Sequence, residues 1–312
     1  MRTIRLGFVA GTVLALSWTT LAMTPAHALR ADGVAAGATC LRPSAHGPAV
    51  GARGGHGDGD TRPVSADEQR AIRNEMRTLL QQDGLTLAQA AQTTATVPVY
   101  VHVMRDAQGG GDVTDQQIRA QIAELNQDFA GGESSAAADL GFSFRLAGVD
   151  RFDNDNWHRD KESAQYRKAT RQGGANALNI WLVDFKFLGI ATFPWDYAQQ
   201  PGIDGIRVHY DSLPGGSIAN YNQGKTATHE AGHWFGLFHT FQGGCKEPGD
   251  EVADTPAQAS PTSGCPEGRD SCVSAGLDPI HNYMDYSYDP CYDQFTTGQS
   301  ARAGQMWAAY RG

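Results

Sequence analysis

The sequence predicts an α+β domain, and three observations carry that expectation. Short runs rich in β-branched and aromatic residues recur at 97–104, 142–147, 178–183 and 205–210, which is the composition of strands. Between the first two, Ile118, Ile122, Leu125 and Phe129 share one helical face, opened by the capping-box pattern Thr114-Asp-Gln-Gln117 and closed by Gly131-Gly132. Strands interrupted by helices indicate a mixed α/β or α+β domain. Four of the five cysteines, Cys245, Cys265, Cys272 and Cys291, fall in the last quarter of the chain. In an oxidising compartment that even cluster reads as two disulfides, with all three pairings open from sequence alone.

The compartment follows from the first residues. Arg2 and Arg5 precede an apolar run from Leu6 to Met23, followed by Pro25 and the small-residue triplet Ala26-His27-Ala28. This is the layout of a signal peptide over 1–28, cleaved after Ala28. A membrane anchor is the alternative, but the apolar part is short for a bilayer span. The expected mature chain is secreted to the extracellular space and has no membrane partner. Losing Arg2 and Arg5 and no acid takes the net charge from −9 to −11, which excludes a nucleic-acid binder.

Residues 29–62 are rich in Gly, Ala, Pro and Arg, and offer no apolar periodicity. Ser65-Ala-Asp-Glu68 then opens a helix over 65–82 that carries Ile72, Met76, Leu79 and Leu80, and a polar linker runs on through Thr96. We read 29–93 as a pro-segment and linker, partly disordered, and 94–312 as the main domain.

The chemistry concentrates in 229–239, His-Glu-Ala-Gly-His-Trp-Phe-Gly-Leu-Phe-His. On a helix, His229 and His233 lie on one face, one turn apart, where they can bind a single ion. Glu230 projects differently and is left for a water. Gly236 can take the left-handed conformation that ends a helix, so the chain turns and His239 becomes a third ligand. Three ligands leave one position for water, whose pKa zinc lowers to about 7. Glu230 would take the water's proton during attack on a carbonyl and pass it to the leaving amine. The reading is one Zn2+ on His229, His233 and His239, with Glu230 as general base, in an enzyme that hydrolyses internal peptide bonds. The alternative from another class is a catalytically silent, zinc-containing secreted module for binding or adhesion.

This long motif, together with Asn282-Tyr-Met-Asp-Tyr286, resembles the metzincin clan. The wider strings at 205–216, 221–230 and 238–245 resemble the pappalysin-like family of cytophagalysin and ulilysin type, over about residues 97–306. The resemblance implies a twisted mixed sheet, an active-site helix and a disulfide-stapled C-terminal subdomain. It implies Met284 as the apolar base under the metal, and Tyr286 as a catalytic group that approaches the developing oxyanion. It implies that 188–193 is an edge strand that binds protein or peptide substrates as an added strand, in a monomeric enzyme. It further implies the pairings Cys245–Cys272 and Cys265–Cys291, and a calcium ion near 249–256 with Asp254 as donor. Some members favour a basic residue after the cut, which calls for an acid such as Asp289 or Asp293 beside Cys291. Cys40, left over from the pairs, is expected either as a zinc-bound latency ligand in a zymogen or as a free or intermolecular thiol.

Overall fold

The computed structural model describes residues 60–312; the expected signal peptide and Cys40 lie outside them. Val97, Val99, Val101 and Val103 alternate inward along β1 (Ala95–Arg105) and are buried, as the period of a strand requires. This strand pairs in parallel with β2 (Phe142–Asp153) on one side and with β3 (Leu178–Val183) on the other. All six residues of β3 are buried, which marks the sheet's centre. Next to β3 runs β5 (Ile206–His209), also parallel, and the edge is β4 (Gly189–Ala191), antiparallel to β5. The order is therefore β2-β1-β3-β5-β4, a mixed sheet with one antiparallel edge.

The second strand is longer than its alternating part suggested. Residues 148–153 mix Gly148, Asp150, Arg151 and Asp153 with Val149 and Phe152, and they continue the ladder along β1 past an irregularity at Val99/Tyr100. Backbone pairing, the Arg105–Asp153 ion pair at 2.7 Å and packing of Val149 and Phe152 hold this edge. It leads into two short helices, α4 (Asp155–His158) and α5 (Ser163–Thr170).

Two helices bring the apolar face of the sheet to the functional region. In α3 (Asp115–Phe129), Thr114 and Gln117 cap each other, and Ile118, Ile122, Leu125 and Phe129 are buried. Every residue of α6 (Lys225–Trp234) is buried, so this helix runs through the core rather than over it. Phe129, Phe142, Phe144 and Phe235 pack ring to ring between them. The C-terminal helix α7 (Thr297–Tyr310) closes this core with Trp307 stacked on Phe235 at 5.4 Å.

The segment expected as a linker is built onto the domain. The helix α1 (Ala66–Gln82), capped by Ser65, lays Ile72, Met76 and Leu80 into a second apolar cluster with Phe193, Trp195, Phe238 and Met306. Within the polar stretch, Thr86 and Gln89 form a capping box that starts α2 (Leu87–Ala90), whose Ala90 joins the same cluster. Two disulfides, Cys245–Cys272 and Cys265–Cys291, tie the region between α6 and α7, with Cα atoms 5.5 and 5.6 Å apart. Among the described residues no helix is long and apolar enough to cross a membrane.

Candidate metal centre

The centre begins with how α6 ends. Phe235 is its last half-helical residue, and Gly236 follows at φ +89°, a conformation that disfavours any side chain. Gly236 N–H donates to the His233 carbonyl at 2.8 Å and Leu237 N–H donates to the Gly232 carbonyl at 3.0 Å. Both bonds of a Schellman turn are present, so the chain reverses tightly. That reversal carries His239 back onto the helix.

His229, His233 and His239 converge as a result. The Nε2 atoms of His233 and His229 are 3.1 Å apart, and those of His233 and His239 are 3.0 Å apart. The other ring nitrogens face carbonyls: His229 Nδ1 meets Tyr283 O at 2.6 Å, and His233 Nδ1 meets Leu237 O at 2.8 Å. A carbonyl accepts only, so each Nδ1 carries the proton and each Nε2 presents a lone pair. Lone pairs aimed at one another in a buried space repel unless a cation lies between them. Tetrahedral zinc, with bonds of about 2.0–2.1 Å, sets its nitrogens about 3.3 Å apart, so the donor set fits that ion. Burial also pushes the His233 pKa well below 6.5, which keeps the ring in its neutral, ligating form.

Around these rings the packing is close. Met284 is fully buried beneath the helix, and a Cβ on Gly232 would stand 2.4 Å from its sulfur. The Tyr286 ring lies 4.9 Å from the His239 ring and 5.7 Å from that of His229. Glu230 is buried, and its carboxylate lies against the backbone of Gly189 on β4.

A buried ionic knot fixes the start of α6. Lys225 Nζ reaches Asp128 at 2.7 Å and Glu124 and Glu133 at 2.6 Å. Asp128 also accepts from Thr228 at 2.5 Å and from the Tyr283 hydroxyl at 3.0 Å. Burial raises the Asp128 pKa to about 6, although Lys225 opposes the shift. Because the Tyr283 carbonyl orients His229, the knot couples α3, the ligand helix and the Met284 turn.

The Asp254 carboxylate accepts from Thr296 Oγ1 at 2.7 Å and from Gly298 N–H at 2.8 Å, so it caps α7. Among the described residues it joins no convergent group of three or more His, Cys, Asp or Glu side chains. Cys40 lies outside the described residues. Asp289 is buried and accepts from Gln223 N–H at 2.9 Å, in a cavity it shares with Lys225 and Asp293.

One residue at the centre had no signal in the sequence. Asp60 is buried with Oδ2 3.0 Å from His229 Nε2 and Oδ1 2.9 Å from His239 Nε2. It stands in a Gly-rich stretch, Gly57-Asp-Gly-Asp60, where an acid looks like any solvated charge.

Comparisons with known proteins agree with this geometry. Residues 185–308 match the family model described as pregnancy-associated plasma protein-A. An extracellular metalloprotease of Verticillium alfalfae is 49% identical over 232 residues, covering 71% of this chain and 78% of that protein. One from Neurospora crassa is 48% identical over 229 residues, with coverage of 71% and 78%. Among solved structures, mirolysin in complex with a small compound superposes with a TM-score of 0.62 at 29% identity, covering 71% of this chain and 94% of that one. A mutant of Tannerella forsythia promirolysin gives a TM-score of 0.65 at 26% identity, covering 80% and 93%. The chain belongs to the pappalysin-like family of metzincin metalloproteases.

Proposed function

We propose that this chain is a secreted endopeptidase that cuts internal peptide bonds at a zinc site on His229, His233 and His239, with Glu230 as general base. The carrying observation is the convergence of three imidazole Nε2 atoms next to a buried glutamate at the edge of a sheet. Zinc on these nitrogens supplies Lewis acidity and makes hydroxide available near neutral pH.

The chain's own groups do the rest. Glu230 accepts a proton as water attacks the peptide carbonyl and returns it to the leaving amine. Tyr286 packs on His239, beside the place where negative charge develops, and its hydroxyl serves that charge. Met284 supports the ligand helix from below. The open side of β4 and the residues around it, 188–193, accept the substrate as an added strand through backbone hydrogen bonds. Mature mirolysin of Tannerella forsythia was solved in complex with a cleaved peptide, which supports peptide binding. Export through residues 1–28, and a pro-segment reaching to about residue 93, complete the reading. The relatives from Verticillium alfalfae and Neurospora crassa are extracellular metalloproteases, which supports export.

The test is Glu230→Ala in processed enzyme, with casein or a quenched peptide as substrate. Cleavage should fall by at least a thousandfold while zinc stays bound at one per chain. A chelator should abolish wild-type activity and added zinc should restore it. Undiminished cleavage by the Glu230→Ala protein would refute the assignment.

A further inference from the structure

We propose that Asp60 is a fourth ligand of the metal centre in the unprocessed chain, and that residues 60–64 hold the cleft shut from within. The proposal rests on the zinc-peptidase reading above and adds to it which residue guards the metal.

The argument starts with the carboxylate. Its two oxygens divide between the histidines, Oδ2 at 3.0 Å from His229 Nε2 and Oδ1 at 2.9 Å from His239 Nε2, with His233 Nε2 at 3.7 Å from Oδ1. Asp60 and the three histidines form one buried convergent group. A histidine whose Nδ1 proton goes to a carbonyl has no proton on Nε2 to give a carboxylate, and this holds for His229. Two lone-pair donors facing each other at 3.0 Å need a cation between them. Zinc accepts carboxylate oxygen at about the same distance as imidazole nitrogen, so Asp60 completes a tetrahedron. That is the position a catalytic water would otherwise take.

The neighbours of Asp60 hold it there. The Asp60 carbonyl accepts from Ala191 N–H of β4 at 3.0 Å, using the edge that a substrate strand would use. Two residues on, Arg62 grips Asp196 with both oxygens engaged, Nε at 3.1 Å and Nη2 at 2.9 Å, a planar two-point match. The Val64 carbonyl accepts from Gln242 Nε2 at 2.9 Å, and the Val64 side chain enters the apolar cluster that anchors α1. The segment between lines a cavity of about 180 Å3 with His233, His239, Phe241 and Tyr286. Metal, substrate edge and cleft wall are thus engaged by five consecutive residues. Nothing can reach the metal until they leave.

The test uses the full-length chain with Glu230→Gln, which keeps the histidines but prevents self-cleavage, loaded with zinc and assayed for metal content. The probe is a peptide hydroxamate, which binds the metal directly, titrated by calorimetry. Adding Asp60→Ala should tighten hydroxamate binding at least tenfold with zinc retained and the unfolding temperature within a few degrees. Arg62→Ala, which leaves the metal untouched, should tighten it severalfold, and Cys40→Ser should leave it unchanged. If zinc is bound but Asp60→Ala and Arg62→Ala change nothing, or if Cys40→Ser alone opens the site, the assignment to Asp60 is overturned while the zinc-peptidase reading stands. If no zinc is bound at the three histidines, that reading falls and takes this one with it.

Discussion

The carboxylate of Glu230 lies so close to Gly189 that a Cβ on the glycine would stand 2.3 Å from Oε1, 2.4 Å from Cγ and 2.6 Å from Cδ. The proposed general base is therefore positioned by the absence of a side chain on the edge strand. Contacts that short do not occur between real atoms, so Gly189→Ala must displace the carboxylate. A displacement of about 1 Å at a reacting group lowers rate by about 100-fold. We expect Gly189→Ala to lose about that factor in kcat, with zinc content and unfolding temperature preserved. Full activity in this variant would show that Glu230 is not held by this contact.

Gly232 makes a second close approach, on the lower side of the same helix. An alanine there would put its methyl 2.4 Å from the sulfur of Met284, which is fully buried. Overpacking of this kind costs about 1–3 kcal/mol, and deleting a buried methionine costs about 2–5 kcal/mol. The two changes are complementary in volume. The double variant Gly232→Ala/Met284→Ala should therefore be more stable than the sum of the singles implies, by about 1 kcal/mol or more. Simple additivity in chemical denaturation would mean that Met284 does not support the helix at Gly232.

Asp250 makes the stability of the fold depend on pH. Burial raises its pKa from the ordinary 3.8 to about 6, despite hydrogen bonds from Thr255 and Val252. The folded state thus binds the proton more tightly than the unfolded chain does. The stabilisation is complete below pH 3.8 and is lost as pH rises through 6, so at pH 7 the ionised group burdens the fold by about 3 kcal/mol. Asp250→Asn should remove this dependence. The stability difference between wild type and variant should shift by about 2.4 kcal/mol in the variant's favour from pH 4 to pH 7, read by urea unfolding. A difference that stays constant across that range would contradict the raised pKa.

What was legible in the sequence were the elements with strong local signals. Thr114 and Gln117 announced α3, and alternating valines announced β1. The spacing of His229, His233 and His239 around Gly236 was readable because it encodes one turn of helix and one reversal. Other features are set by tertiary contacts that leave no local trace. The second half of β2, broken by Gly148 and three charged residues, is a strand because β1 supplies its partners. The helix α7 carries alanine and glycine where a sequence pattern would look for larger residues, and its small faces suit close packing. Asp60 is the extreme case, since its meaning depends on three histidines about 170 residues away. Asp254 is a second case: its bonds to Thr296 and Gly298 at the start of α7, 42 and 44 residues on, leave no local trace either.

The helix α1, which lies within the proposed pro-segment, packs onto the domain beside the functional region. Leu80 is buried in a cluster with Phe193, Trp195, Phe238 and Met306. Phe193 in turn packs edge-on against the His233 ring at 5.6 Å and Trp195 stacks on Phe193 at 4.4 Å. An apolar side chain deleted at such a site costs about 2–5 kcal/mol. For a domain of this size that lowers the unfolding temperature by about 4–20 °C. In the full-length Glu230→Gln chain, Leu80→Ala should move the single main transition by that amount. The mutation should also loosen Phe193, so the His233 ring signals in an NMR spectrum should shift. A loosely attached segment would instead melt in its own early transition and leave the main one where it was. In that case α1 would not share a cooperative unit with the domain in the full-length chain.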